Sequence, residues 1–278
     1  MFKKRSGLVT WLGVAFVVLA WADCQAQPTV YTVNYPLYYF AQRIGGERVS
    51  VVFPAPADVD PAFWAPDVET IASFQGADLI LLNGASYAKW LKTASLPGSR
   101  SIDTSQAFEA NFIAAAETGA HSHGPEGEHS HGGTAFTTWL DFRQAVRQAQ
   151  AIREGLSRLL PAHRDSFEER YAKLERDLLD LDRQFQAIAE LARARPLLAS
   201  HPVYQYLARR YGLNLESVMW EPDALPDDGQ WRELQSVLEG HAASWMLWEG
   251  QPLQASVERL GELGVGSLVF DPCRNRPE

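Results

Sequence analysis

Two rhythms of apolar residues run along the chain. Short, mostly apolar runs occur at 30–33, 49–53, 77–82, 197–199, 245–248 and 265–270. Runs this short and this apolar predict strands buried on both faces, as in a parallel sheet. Between them, apolar residues recur at three- and four-residue steps, which predicts helices over 35–44, 67–74, 87–91, 203–211, 227–239 and 252–263. Gly45-Gly46, Gly212 and Gly264 are placed to end helices in the left-handed conformation, and Asp227 or Asp228 to begin one. Strand and helix alternating in this way imply right-handed crossovers within parallel sheets.

The middle of the chain has only the helical rhythm. Ala145, Ala149, Ile152, Leu156 and Leu159 share one side of a helix over 140–160, which Pro161 interrupts. Phe167, Tyr171, Leu174, Leu178, Leu181, Phe185, Ile188 and Leu191 then continue at helical steps until Pro196. So long an amphipathic helix with α/β segments on both sides is expected to be a rigid strut, and a coiled coil is the alternative. The expected fold is therefore α/β, with two lobes, each a mainly parallel sheet flanked by helices, joined by one long rigid helix. The expected divisions are 1–26, 27–140, 141–195 and 196–278.

The first segment differs in kind. Lys3, Lys4 and Arg5 precede an apolar run from Leu8 to Trp21, which fits a secretory signal peptide cleaved after Ala22 or Ala26. Lipidation of Cys24 is not expected, because Asp23 is a poor residue before a lipid-modified cysteine. The chain has 278 residues and a formal net charge of -9, and removal of the basic leader makes it more acidic still. Such a chain is a poor partner for nucleic acid or an anionic membrane and a better one for cations. Cleavage after Ala26 leaves Cys273 as the one cysteine, so no internal disulfide and no CxxC motif exists.

Two stretches carry chemistry. Residues 119–133 lack apolar side chains other than alanine and should form a mobile loop. The loop holds His121, His123, His129 and His131, with Glu126 and Glu128 among them. Imidazoles mixed with carboxylates suit zinc and similar divalent ions, and short His-rich tracts typically bind metal, although this spacing defines no closed tetrahedral site; a solvated linker or an incidental insertion is the alternative. The second stretch is Leu197-Leu-Ala-Ser-His201-Pro202, which sets His201 at the carboxyl end of a strand, with Pro202 suited to the first position of the following helix. Ligands bind at the carboxyl ends of strands in open α/β sheets, whereas a histidine capping a helix is the alternative. Asp271 stands in the same way at the end of the last strand, and the two side chains can converge.

These features together resemble the zinc- and manganese-binding solute receptors of bacterial ABC importers, over nearly all the mature length. The resemblance rests on Asp60-Pro61 before Pro66, Ala77-Asp78-Leu79-Ile80 leading to Asn83-Gly84, the acidic His-rich loop and Trp139-Leu140-Asp141. It continues in the strut, His201 with Tyr204 and Tyr211-Gly212-Leu213, Glu221-Pro222, Glu249 and Phe270-Asp271-Pro272. It implies a periplasmic receptor, a monomer, that holds a divalent ion in the cleft between lobes and hands it to an inner-membrane permease. Zn²⁺ is the expected ligand, with Mn²⁺ second. By position His201 and Asp271 would be ligands. The two further histidines of the family fall on Ala62 and Thr137, neither of which is a useful zinc ligand.

Three readings of the cleft follow. Loop histidines His121, His123, His129 or His131 replace the lost ligands and Zn²⁺ is still bound. Alternatively, Phe63, Trp64 and Trp139 line a pocket for a small organic ligand or metal chelate. In the third, the cleft is vestigial and the loop buffers metal. No enzyme is expected: the chain has no Gly-x-Ser-x-Gly elbow, no phosphate-binding glycine loop and no His-Glu-x-x-His helix. Asp60, Glu221, Glu249 and Asp271 could supply an acid/base pair, but most carboxylates are solvated or cap helices.

Overall fold

The structure is a computed structural model that describes residues 26–57, 59–115, 133–192 and 195–276, with the backbone of 121–122 and 128–129. The leader, Cys24, His123 and His131 lie outside the described residues. None of the described helices is long and apolar enough to cross a membrane.

The first lobe begins with strand β1 (Thr29–Thr32) and helix α1 (Tyr35–Gly45). The Asn34 side chain caps α1 by accepting from the Leu37 amide at 3.1 Å. Leu37, Phe40, Ala41 and Ile44 form its buried face. The helix stops at Gly46, whose φ of 55° is one that glycine adopts without strain. Then come β2 (Ser50–Val52), α2 (Val68–Gly76), β3 (Leu79–Leu82) and β4 (Ser101–Asp103). All pair in parallel, in the order β2-β1-β3-β4. Short hairpin pieces follow: β5 (Ala114–Ala115) with β8 (Gly133–Thr134), and β6 (His121–Ser122) with β7 (Glu128–His129). The second pair sets His121 opposite His129 along the backbone.

Helix α3 (Phe142–Leu159) is capped by Asp141 and lays Ala145, Ala149, Ile152 and Leu156 into the core. Helix α4 (Arg164–Ala192) has 29 residues, a length of about 43 Å at 1.5 Å per residue. Phe167, Tyr171, Leu174 and Leu178 bury its first half in the core shared with the first lobe. Phe185, further along, meets Phe142 at 5.3 Å, Tyr211 at 5.5 Å and Phe270 at 5.8 Å between ring centroids, so the helix reaches the second lobe.

The second lobe repeats the pattern: β9 (Leu197–Ala199), α5 (Gln205–Tyr211), β10 (Leu215–Ser217), α6 (Asp228–Gly240), β11 (Trp245–Trp248), α7 (Gln254–Glu262) and β12 (Gly266–Val269). Its strands are parallel in the order β10-β9-β11-β12, the same topology as the first sheet. Asp227 and Gln230 form a reciprocal capping box on α6. Trp220, Trp231 and Trp248 pack together in its core. The two parallel sheets and the long helix bear out the expected fold class. One local expectation changes: Pro202 lies in a turn rather than at a helix start, and α5 begins at Gln205.

Contacts between the lobes are specific. Thr137 Oγ1 donates to the Val203 carbonyl at 2.6 Å, and Tyr206 Oη to that of Ala135 at 2.9 Å. Residues 272–276 run from the second lobe back across the first. The indole N–H of Trp139 donates to the Pro272 carbonyl at 2.6 Å. Asn275 Nδ2 donates to the carbonyls of Pro56 and Val59, and Arg276 to that of Phe53.

Candidate metal centre

In a sheet ordered 2-1-3-4, crossovers leave in opposite directions from the first and third strands, and a crevice opens at their carboxyl ends. In the second sheet those strands are β9 and β11. His201 follows β9 by two residues and Glu249 follows β11 directly. Glu221 lies beyond β10. The geometry brings these three together: one ligand atom from each of His201, Glu221 and Glu249 falls within 4.8 Å of the others. His201 Nδ1 is 3.4 Å from Glu221 Oε1 and 4.0 Å from Glu249 Oε1. His201 and Glu249 are buried, and Glu221 is partly exposed.

Neighbouring charges shape this centre. Arg274 reaches in from the segment after β12, with Nη1 3.0 Å from Glu249 Oε2 and 3.2 Å from Asp60 Oδ2. Asp60 belongs to the first lobe, where its other oxygen accepts from the Ala62 amide at 2.9 Å. Burial lowers the Arg274 pKa, but Asp60 and Glu249, with Tyr87 and Glu221, outweigh it and hold the guanidinium above its usual range. Burial, and then Asp60, push the Tyr87 hydroxyl well above the usual range, with Arg274 opposing. Asp60, Glu221 and Glu249 gather around Arg274, with Lys89 also acting on Asp60, so among the described residues acidic groups outnumber basic ones here, which suits a metal ion.

One imidazole and two carboxylates are a chemically sound partial donor set for Zn²⁺, and carboxylate oxygens also suit Mn²⁺. Of the residues expected from sequence, His201 stands in this cluster. Asp271 does not join it: the residue is exposed, and its Oδ1 accepts from the Cys273 amide at 2.7 Å. Burial, then Glu249 and Asp271, raise the pKa of the Tyr204 hydroxyl, which donates to the Phe270 carbonyl. Of the loop histidines, His121 and His129 are described in their backbone only, and His123 and His131 not at all.

Ala62 and Thr137 have structural roles. Ala62 is fully buried in the first core. The Thr137 hydroxyl commits its proton to the Val203 carbonyl. Behind them, at the equivalent crevice of the first sheet, lies a buried amide network rather than a ligand set. Asn34 Nδ2 and Gln148 Nε2 both donate to Asn83 Oδ1, at 3.0 and 3.2 Å. Trp139 is buried against Tyr87, with its N–H engaged, so it does not face an open pocket.

Glu221 and Glu249 were not among the metal candidates read from sequence. The rule that singled out His201 applies equally to Glu249, which directly follows the strand Trp-Met-Leu-Trp. No sequence signal marks Arg274, because its place depends on the whole segment 272–276 crossing to the other lobe.

The zinc-binding lipoprotein AdcA of Streptococcus pneumoniae is 26% identical over 284 residues, covering 99% of this chain and 56% of AdcA. The high-affinity zinc uptake system protein ZnuA of Bacillus subtilis is 25% identical over 269 residues, covering 90% of this chain and 82% of that one. The chain thus spans about half the length of AdcA. Among solved structures, the metal-dependent lipoprotein YcdH of Bacillus subtilis superposes with a TM-score of 0.76 at 21% identity, over 90% of each chain. Zn(II)-bound AdcA from Streptococcus pneumoniae superposes with a TM-score of 0.75 at 22% identity, over 91% of this chain and 52% of that one. These likenesses establish the two-lobe fold. A family profile described as zinc-uptake complex component A, periplasmic, matches residues 30–278, and the protein therefore belongs to the ZnuA family.

Proposed function

We propose that the protein is an extracytoplasmic receptor of an ABC importer that binds a divalent metal ion, Zn²⁺ first, and delivers it to an inner-membrane permease. The observation that carries this reading is the convergence of His201, Glu221 and Glu249 within 4.8 Å at the crevice of the second sheet. These three residues are the ligands from the second lobe, and Asp271, two residues past the last strand, is the candidate to complete the set. The zinc-binding names of AdcA and ZnuA support the choice of ion. On this reading the protein is a monomer in the periplasm that catalyses no reaction, and its partner is the permease rather than nucleic acid. The His-rich stretch with His121, His123, His129 and His131 captures ions and passes them to the cleft. A pocket for an organic ligand has less support, because Trp139 is buried and hydrogen-bonded.

The test is calorimetric zinc titration of chelator-stripped protein. One tight site is expected, and His201→Ala should weaken it by at least about 100-fold, more than loss of an outer hydrogen-bond partner costs. Unchanged affinity in His201→Ala would sink the assignment. Removal of residues 121–131 separates a ligand role, which would lower affinity, from a capture role, which would slow loading only.

A further inference from the structure

We propose that Arg274 is an internal cation that competes with the metal for Glu249, so that loading the site breaks the Asp60–Arg274–Glu249 tie between the lobes. The inference rests on the metal-binding reading above. Glu249 presents one oxygen to each side: Oε1 is 4.0 Å from His201 Nδ1, and Oε2 is 3.0 Å from Arg274 Nη1. Its side chain is 1% exposed, so it requires a positive partner in the metal-free protein. Arg274 supplies that charge and carries it to Asp60 of the first lobe at 3.2 Å.

An ion held between His201 and Glu249 brings two further positive charges to within a few ångströms of the guanidinium. A guanidinium does not deprotonate in a protein, so it must give up Glu249 and turn toward Asp60 or solvent. Its side chain is 34% exposed and has room to do so. The rest of the segment keeps its own anchors through Pro272, Asn275 and Arg276. The displacement is therefore confined to the Arg274 side chain. Arg274 thus compensates Glu249 when the site is empty, and it weakens the affinity for the ion that replaces it.

The test compares zinc affinity by chelator competition, and melting temperature with and without zinc, in the full protein and in Arg274→Met. Arg274→Met should bind zinc at least tenfold more tightly, melt lower without metal and gain more on adding zinc. Arg274→Gln, which keeps polar contacts to both carboxylates, carries the same comparison if the methionine variant does not fold. Equal or weaker zinc binding in a folded variant overturns the proposal. His201→Ala separates the two readings. If wild-type binding depends on His201 but the Arg274 variants bind no tighter, only the role of Arg274 falls. If none of the proteins binds zinc, the metal reading falls and this inference with it.

Discussion

Replacing Asp182 with asparagine should loosen the joint between the strut and the second lobe. Asp182 lies on α4 with a side chain 6% exposed. It accepts from Arg210 Nε at 2.8 Å, Arg210 Nη2 at 2.7 Å and Tyr211 Oη at 3.0 Å, all from α5, and from Arg143 Nε of α3 at 3.3 Å. The Arg143 contact is largely solvated and counts for little. The bidentate Arg210 pair is shielded, and breaking it leaves a guanidinium whose nearest other carboxylate is Asp141 at 3.8 Å. Together with the Tyr211 hydroxyl this amounts to about 3 kcal/mol. At roughly 2–4 °C per kcal/mol for a chain of this size, the melting temperature should fall by about 6–12 °C.

The same pair predicts a pH dependence. Burial by itself would raise the Asp182 pKa, but Arg210, Tyr211 and Arg143 outweigh it and hold the carboxyl below its usual 3.8. A carboxylate lowered in the folded state contributes its full stability above the unfolded value and loses it as pH falls through the folded one. The gap between wild type and Asp182→Asn should therefore be constant near neutrality and close below pH 3.8. A loss under about 1 kcal/mol, or strict additivity with Arg210→Met, would refute the reasoning.

Two further substitutions probe other joints. Gly155→Ala adds a Cβ that would lie 2.4 Å from Ile102 Cδ1, a side-chain end that must turn aside, so the variant should fail to gain the about 1 kcal/mol that alanine's better helix propensity would supply. A more stable variant in urea unfolding would show that α3 and β4 pack less closely than described. Trp139→Phe keeps the ring but removes the buried donor to Pro272, which should cost about 1–2 kcal/mol and speed carboxypeptidase trimming of residues 272–276. Trimming at the wild-type rate would mean that this hydrogen bond does not hold the segment.

The regular parts of the fold were legible because their apolar rhythm is strong. The runs at 79–82 and 245–248 are strands, and the Phe167 to Leu178 stripe faces the core of the first lobe. The strands Ser101–Asp103 and Leu215–Ser217 were not foreseen. Both are three-residue edge strands with polar residues, Ser-Ile-Asp and Leu-Glu-Ser, and their pairing comes from the neighbouring strand rather than from their own pattern. In the site, His201 was legible because a histidine at a strand end is conspicuous. Glu249 occupies the equivalent place but passes for a solvated carboxylate, because sequence does not show that it is buried. Arg274 lies beyond any local signal: its two partners are 25 and 214 residues away.

Those separations also set an order of events. Arg274 meets Asp60, and Arg276 meets Phe53, across 214 and 223 residues of chain. Contacts that close so long a loop have the largest entropic cost and form after local ones. Each sheet is assembled from segments near in sequence, so the lobes can condense separately while the loop around residues 53–60 is still without its partners. The docking of residues 272–276 onto the first lobe is then a late step of folding, and slow refolding phases should report on that segment.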